Sequence, residues 1–294
     1  MLGIHPFLWF DTNAEEAMRF YLSVFEDSES LDLSPSVEGA PGPDTPVLVA
    51  NFRLLNQTFR ALNGGPGHPM TPAVSYMVYC EDAASVETYW NKLIDGGAAL
   101  MELGEYPFSE RYGWLNDKFG VSWQLIITGE PPQIVPSLLF VGDQVGRAEE
   151  AINLYTSVFD NSAIQAIHRY EEGMGEAVGN VMHATFQLAG QPFAAADSSL
   201  DHQFTFTDGN SFEISCESQE EIDRYWDALA ADGGEPGPCG WIKDKFGVWW
   251  QVVPVVLATL LGDADAEKAN RALQAMLKMQ KLDIAALEAA HAVA

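Results

Sequence analysis

Residues 112–126 read YGWLNDKFGVSWQLI, and residues 239–253 read CGWIKDKFGVWWQVV. The repeat extends upstream of this signature, because AEEAMRFYLSVF at 14–25 returns as AEEAINLYTSVF at 148–159. A period of roughly 130 residues is too long for a solenoid unit and has the size of a whole domain. The sequence therefore predicts two related domains in tandem, and a functional site should be sought at positions that both copies share.

The repeat sets the domain boundaries. We expect a first domain at residues 1–130, a second at 131–258 and a C-terminal helical tail at 259–294. The Gly and Pro residues of 129–132 are typical of a linker. The tail has no copy in the first half, and its apolar stripe at Leu273, Met276 and Leu277 predicts a helix that packs on the domains.

A smaller unit recurs within each domain: a strand, an amphipathic helix and several further strands. The first helix follows a capping box at Asn13–Glu16, and the second begins after Asp82. The helices are too few to cover both faces of a parallel sheet. This pattern predicts an α+β fold of curved, largely antiparallel sheets that carry helices on their outer faces.

Charge and composition exclude several functions. Lys and Arg number 15 against 42 Asp and Glu, which gives a net charge of −27. Such a chain repels phosphate backbones and anionic lipids, so neither nucleic acid nor a membrane is an expected partner. The N-terminus lacks the pattern of a secretory signal, and the three cysteines are expected to be reduced. We therefore expect a cytoplasmic protein.

The quoted motifs are similar to those of a known family. The signature GWLNDKFGVSWQLI, together with PFLWFDTNAEEAMRFYLSVF at 6–25, resembles the PhnB-like branch of the vicinal-oxygen-chelate superfamily. This superfamily includes glyoxalases and bleomycin-resistance proteins, and the branch is named for a 3-demethylubiquinone-9 3-methyltransferase domain. The resemblance covers residues 4–127 and 134–254. It implies that each domain consists of two βαβββ modules that together form one open, cup-shaped sheet, and that the two domains form an internal pseudo-dimer.

In metal-using members of this superfamily, side chains that line the cup hold a divalent ion. Counting from the helix starts places the corresponding positions at Pro6, Ser75, Gln124 and the Leu62–Asn63 region. Only Gln124 is a suitable ligand, so we expect no metal. Strand alternation is expected to turn His5 away from the cup.

No other cofactor is expected either. The glycines of 63–67 precede His-Pro rather than a helix, which disfavours S-adenosylmethionine and methyl transfer.

These observations predict a protein that binds a small organic molecule in a cup-shaped pocket of the first domain. The predicted ligand-binding residues are Asn63, Ser75, Tyr106, Tyr112, Trp114 and Gln124. Two alternatives stay open: a metal-dependent enzyme of glyoxalase or dioxygenase type, and a non-catalytic scaffold or regulatory module. Pairing of whole chains into a homodimer is also left open.

Overall fold

The computed structural model describes residues 3–36 and 42–293. Its strands are β1 Gly3–Phe10, β2 Ser28–Pro35, β3 Val47–Leu54, β4 Gln57–Asn63, β5 Val74–Cys80, β6 Ala98–Tyr106, β7 Ser109–Asn116, β8 Ser122–Ile127, β9 Gln133–Phe140, β10 Ala163–Arg169, β11 Val181–Leu188, β12 Gln191–Asp197, β13 Asn210–Cys216, β14 Glu235–Pro236, β15 Trp241–Lys243 and β16 Trp249–Pro254. Its α-helices are α1 Ala14–Val24, α2 Ala83–Leu93, α3 Ala148–Val158, α4 Gln219–Ala230, α5 Val256–Leu261, α6 Ala266–Met276 and α7 Ile284–Ala292.

Each of four modules consists of a strand, a helix and three further strands. Module 1 spans β1 to β4, module 2 spans β5 to β8, module 3 spans β9 to β12, and module 4 spans β13 to β16. The modules form two sheets of eight strands each. The sheets are mixed, since β1 is antiparallel to β13 but parallel to β4. The predicted α+β class and the open sheets are confirmed.

The modules pair across the two repeats. The first sheet has the order β14-β15-β16-β13-β1-β4-β3-β2 and joins module 1 to module 4. The second sheet has the order β10-β11-β12-β9-β5-β8-β7-β6 and joins module 2 to module 3. The prediction placed both modules of one repeat in the same sheet, and this detail is corrected. Module 3 repeats module 1 and module 4 repeats module 2, so the strand edge of module 4 is similar to that of module 2 and the sequence gives module 1 no clear preference between them.

The two crossovers between the sheets explain how the chain achieves this exchange. Residues 64–73 lead from β4 in the first sheet to β5 in the second, and residues 198–209 return from β12 to β13. The crossovers bind each other, because Thr207 Oγ1 donates to the Pro69 carbonyl at 2.6 Å and Thr71 Oγ1 donates to the Thr205 carbonyl at 2.6 Å. Each repeat thus contributes half of each sheet.

The helix-bearing faces of both sheets meet in one core. The ring of Phe59 in the first sheet lies 5.0 Å from that of Tyr76 in the second. Trp123 and Trp250, the second tryptophans of the two signatures, are fully buried there. Burial of such rings is the main stabilising contribution to a core of this kind.

The Asp-Lys-Phe-Gly signature is a structural device. The buried Asp117 accepts the backbone N–H groups of Phe119 and Val121 at Oδ1, at 2.8 and 3.1 Å. Its Oδ2 accepts the Tyr21 hydroxyl at 2.8 Å and the Trp123 indole N–H at 2.9 Å. One carboxylate therefore ties the β7–β8 turn to β8 and to the helix of the preceding module.

Asp244 repeats this arrangement in the second half. It accepts the N–H groups of Phe246 and Val248 at 2.9 and 3.0 Å, the Tyr155 hydroxyl at 2.6 Å and the Trp250 indole at 2.9 Å. The recurrence of the signature is thus explained by the packing of the core.

The C-terminal helices dock on module 4. The N-cap residue of α7, Asp283, accepts the Ala286 N–H at 2.8 Å. The Cys239 N–H donates to the Met279 carbonyl at 2.8 Å, which anchors the segment between α6 and α7. Pro35 of module 1 faces α6 across a cleft of about 610 Å³. Within residues 3–36 and 42–293, no helix is long and apolar enough to cross a membrane.

Candidate functional site

Each sheet has one face that carries two of the helices α1 to α4 and an opposite face without them, which we call the open face; the C-terminal helices reach the first open face at Val253. On β1 of the first sheet, Ile4 and Leu8 are buried in the core. The alternating residues His5, Phe7 and Trp9 therefore point to the open face.

This placement corrects the sequence prediction for β1, which turned Pro6 toward the cup and His5 away from it. Pro6 is paired with the core residue Phe212, whereas His5 is paired with Glu213. The strand GIHPFLWF places apolar residues on both faces of the sheet. Its hydrophobic pattern alone therefore does not reveal which face is buried.

The open face of the first sheet is curved inward. Strands β1 and β15 are separated by β13 and β16, which corresponds to roughly 14 Å across a flat sheet. The ring centroids of Phe7 and Trp9 nevertheless lie 5.9 and 5.6 Å from that of Trp241. The sheet therefore bends, and the aromatic side chains lean over the strands between them.

A buried ion pair lies beneath these rings. Glu213 is 3% exposed, and Arg60 Nη1 approaches its Oε1 at 2.6 Å and its Oε2 at 2.7 Å. Ser215 Oγ donates to Oε1 at 3.1 Å and accepts from Arg60 Nη2 at 3.2 Å. Burial raises the pKa of Glu213, although Arg60 and Ser215 act in the opposite direction. The guanidinium reaches from β4 across β1 to β13.

His5 lies beside this pair as a neutral imidazole. Burial, assisted by the charge of Arg60, lowers the pKa of His5 from 6.5 to about 4. Among the described residues, no hydrogen-bond partner meets the buried Nδ1 atom of His5. The buried Oδ1 of Asn51, which is paired with Arg60 in the sheet, likewise has no partner within the described chain. Two polar atoms at this face are therefore left for a further molecule.

These residues do not fit a divalent cation. The register aligns Gln251, Glu213 and His5 side by side on three strands. Both carboxylate oxygens of Glu213, however, are held by the guanidinium of Arg60, whose positive charge repels a metal ion. Across the part of the chain that the structure describes, no three His, Cys, Asp or Glu residues form a group that could hold a metal ion.

Four of the six predicted site residues lie on the open face of the second sheet. The Tyr112 hydroxyl donates to Gln124 Oε1 at 2.6 Å, and Gln124 Nε2 donates to Ser75 Oγ at 2.7 Å. The Trp114 indole N–H donates to Ser122 Oγ at 2.8 Å on the same face. Burial raises the pKa of Tyr112, so its hydroxyl remains a donor.

Of the other two predicted residues, Tyr106 lies at the rim of this face and Asn63 lies in the first sheet. The ring of Tyr106 lies 5.5 Å from that of Tyr112, on the edge strand β6. Asn63 belongs to the first sheet and does not join the other five. Its Oδ1 accepts the Ala14 N–H at 2.9 Å, and its Nδ2 donates to the Val47 carbonyl at 2.8 Å. Asn63 recurs as Asp197 in the second repeat because both residues hold the start of a helix.

Both open faces contain the same type of Gln–Ser hydrogen bond, but they differ in the residues at their centres. Gln251 Nε2 donates to Ser211 Oγ at 3.0 Å in the first sheet, as Gln124 donates to Ser75 in the second. Around this bond, the charged and polar residues of the first sheet are replaced by apolar residues in the second. The equivalent positions are Val135 for His5, Ala194 for Arg60 and Met77 for Glu213. These three apolar side chains form a buried cluster.

Two clefts elsewhere in the molecule do not border either centre. One is the cleft beside α6, and the other, of about 660 Å³, lies at the β10–β11 turn around His168 and Tyr170. Both are open grooves at the edges of the molecule. A buried polar atom without a partner is a stronger sign of a ligand than an open groove is, because leaving it unpaired costs about 1–3 kcal/mol.

The sequence contained a signal for the first open face. Glu213 is the one charged residue in the buried strand NSFEISC, and Arg60 stands in the otherwise neutral strand QTFRALN. Acidic residues are almost never fully buried unless they are paired. This pairing joins the two repeats, so the sequence pattern within either repeat does not reveal it.

Four βαβββ modules in two open, curved sheets define a vicinal-oxygen-chelate fold. Glyoxalase I from Zea mays shares this fold with a TM-score of 0.57 over 86% of this chain and 92% of its own, at 13% identity. The PhnB protein from Bacillus cereus is 45% identical over 42% of this chain and 98% of its own, with a TM-score of 0.40. None of the curated proteins matches the chain.

The family model described as 3-demethylubiquinone-9 3-methyltransferase matches residues 3–126 and again residues 132–253. The chain therefore belongs to this PhnB-like family and carries its domain twice.

Proposed function

We propose that the protein binds a small organic molecule on the open face of the first sheet, over His5, Arg60 and Glu213, without a divalent metal. The observation that carries this proposal is the difference between the two open faces. Burying an ion pair costs several kcal/mol of desolvation, and apolar residues of similar volume are often as stable or more stable. The second sheet folds with apolar residues at the same positions, so the fold itself does not require the pair.

The composition of the first open face fits such a role. Pockets for small molecules are mostly apolar and contain a few polar groups that fix the orientation of the ligand. Phe7, Trp9 and Trp241 supply the apolar wall. Arg60 and Glu213 hold each other in one geometry, and His5 offers a neutral nitrogen beside them.

We propose a structural role for the open face of the second sheet. The side chains of Ser75, Tyr112 and Gln124 satisfy one another there, and Met77 packs with Val135 and Ala194. Trp114 and Tyr106 then complete its rim. This face is the natural control for experiments on the first.

The proposal does not include the methyl transfer named in the family's description. Nucleotide-type cofactors usually bind at a Gly-rich turn between a strand and a helix. Helices α1, α2 and α4 instead begin after Asn13, Asp82 and Ser218, and the turn before α3 has two separated glycines, Gly142 and Gly146, rather than a Gly-rich run.

A fragment screen by ligand-observed NMR tests the proposal, with anionic, cationic, neutral aliphatic and neutral aromatic fragments. The double variant Arg60→Ala/Glu213→Met gives the first sheet the residues of the second, and Gln124→Ala is the control in the second sheet. We expect fragments that bind the wild-type protein and the control but not the double variant. Equal binding by the double variant, or no binding by the wild-type protein, would overturn the proposal.

A further inference from the structure

We propose that the ligand of the first open face is a flat, uncharged aromatic molecule with an O–H or N–H group, and that His5 Nδ1 accepts this hydrogen bond. This inference rests on the proposed function and narrows it to one class of ligand. Three independent features of the face support it: its charge balance, its aromatic wall and its unpartnered acceptors.

The charge balance of the face excludes strongly charged ligands. Arg60 and Glu213 neutralise each other at 2.6 Å, and His5 is neutral near pH 7. Lys243 on β15 is paired with Glu235 at 3.1 Å. The centre of the face therefore has no net charge to offset the desolvation of a carboxylate, a phosphate or an ammonium group, and Asp32, opposite Asn51, lies on the exposed edge strand β2. The net charge of −27 on the whole chain further disfavours anions.

The wall of the face is built to contact a flat ring. Trp241 stands between Phe7, Trp9 and Trp249, with ring centroids 5.9, 5.6 and 6.3 Å away. The imidazole of His68, held by Asp208 at 2.7 Å, already lies on Trp9 with a centroid distance of 4.0 Å and an interplanar angle of 32°. The wall thus accepts a planar heteroaromatic ring in this structure. Aromatic ligands gain both buried area and favourable ring contacts from such a surface.

The unpartnered atoms define what the ligand must offer. A neutral imidazole has one acceptor nitrogen, and with its proton on Nε2 this acceptor is Nδ1. His5 Nδ1 and Asn51 Oδ1 are both buried without a partner among the described residues. A ligand that donates to His5 satisfies this buried acceptor, whereas an analogue without the donor leaves it unpaired. The second open face has Val135 at this position and so lacks this acceptor, although Asn116 Oδ1 of β7 is also buried without a partner among the described residues.

Three naphthalene derivatives test the inference by calorimetric titration near pH 7.5. 2-Naphthol carries the donor, 2-methoxynaphthalene has the same flat body without it, and 2-naphthoate is an anion. We expect 2-naphthol to bind the wild-type protein at least tenfold more tightly than 2-methoxynaphthalene, and 2-naphthoate to bind most weakly. His5→Val should lower the affinity for 2-naphthol at least tenfold and leave that for 2-methoxynaphthalene unchanged.

The variant His5→Val is expected to fold, because valine occupies the equivalent position in the second sheet. Its circular dichroism and Tm provide the control. Tightest binding of 2-naphthoate, or a preference for 2-naphthol that persists in His5→Val, would overturn the inference. Binding of only aliphatic or charged fragments at this face would overturn it while the proposed function stands. A fragment screen without any binding at this face would overturn both.

Discussion

The Arg60–Glu213 pair shows how burial changes the meaning of a charge. Arg53 also makes ion pairs, with Asp27 and Glu29, but these lie at the surface and are screened by solvent. Glu213 is instead 3% exposed, so removal of Arg60 leaves a buried charge whose remaining hydrogen bond is from the Ser215 hydroxyl. An ion pair between arginine and a carboxylate thus contributes little to stability at the surface and much more where the carboxylate is buried.

We predict that Arg60→Ala alone lowers the free energy of unfolding by about 3–5 kcal/mol, because it leaves the buried charge of Glu213 without its ionic partner. The double variant Arg60→Ala/Glu213→Met should recover most or all of this loss. Urea unfolding followed by circular dichroism measures both, with Arg53→Ala as a surface control that changes little. A double variant less stable than the single variant would show that the pair serves the fold rather than a ligand.

His5 predicts a dependence of stability on pH. Its pKa in the folded protein, about 4, lies below the unfolded value of 6.5. The stabilising contribution of the neutral form is therefore fully present above pH 6.5 and is lost as the pH falls toward 4. At pH 5 the expected loss is about 2 kcal/mol. The wild-type protein should lose this much more stability than His5→Val between pH 7.5 and pH 5, and equal losses would refute the burial of a neutral His5.

Residue-level sequence reasoning succeeded where a local pattern decides the outcome. Gln124 stands in an otherwise apolar strand and needs a partner, which it finds in Ser75. The same reasoning failed for His5, because β1 is apolar on both faces. It also failed for Asn63, because an amide is equally suited to capping a helix and to lining a pocket. Glu213 was missed because its partner Arg60 lies in the other repeat.

At the scale of elements, the signature turn holds the helices on the sheets. Asp117 and Asp244 each accept four hydrogen bonds and connect a turn, a strand and a helix of the preceding module. The helices and this turn were predictable from apolar stripes, glycine turns and the cap at Asp82, but the predicted capping box at Asn13 is wrong, because Asn13 makes no side-chain cap bond and Asn63 accepts the Ala14 N–H instead.

Asp117→Asn should destabilise the protein by about 2–4 kcal/mol. The new amide N–H₂ group would replace Oδ2 and face two other donors, the Tyr21 hydroxyl and the Trp123 indole, so buried donors would remain unpaired. Tyr21→Phe removes only one of these donors and should cost about 1 kcal/mol. Thermal and urea unfolding compare the two variants. An Asp117→Asn protein as stable as Tyr21→Phe would contradict the role assigned to this carboxylate.

At the scale of the whole molecule, the two repeats are interlocked. Each sheet takes one module from each repeat, so residues 1–130 alone contain two modules that are not partners in this structure. Sequence comparison revealed the repeats but not their exchange, because homologous edges have the same hydrogen-bonding capacity. In the internal pseudo-dimer predicted from the sequence, each repeat therefore contributes strands to both sheets, rather than forming a closed domain that only contacts the other.

We predict that neither residues 1–130 nor residues 131–294 form a folded monomer when produced separately, and that the two halves copurify when produced together. Size-exclusion chromatography with light scattering and circular dichroism follow the outcome. A monomeric first half with a cooperative thermal transition would show that both modules of one repeat can close a sheet by themselves.

The tryptophans report directly on the position of the proposed ligand site. The chain has eight tryptophans, of which Trp9 and Trp241 line the open face of the first sheet while Trp114 lies on that of the second. A sample labelled with ¹⁵N-tryptophan, titrated with a fragment that binds, shows one indole resonance for each. We expect the resonances of Trp9 and Trp241 to shift in proportion to occupancy while that of Trp114 stays in place. A shift of Trp114 with Trp9 and Trp241 unchanged would place the ligand on the second sheet and contradict the account.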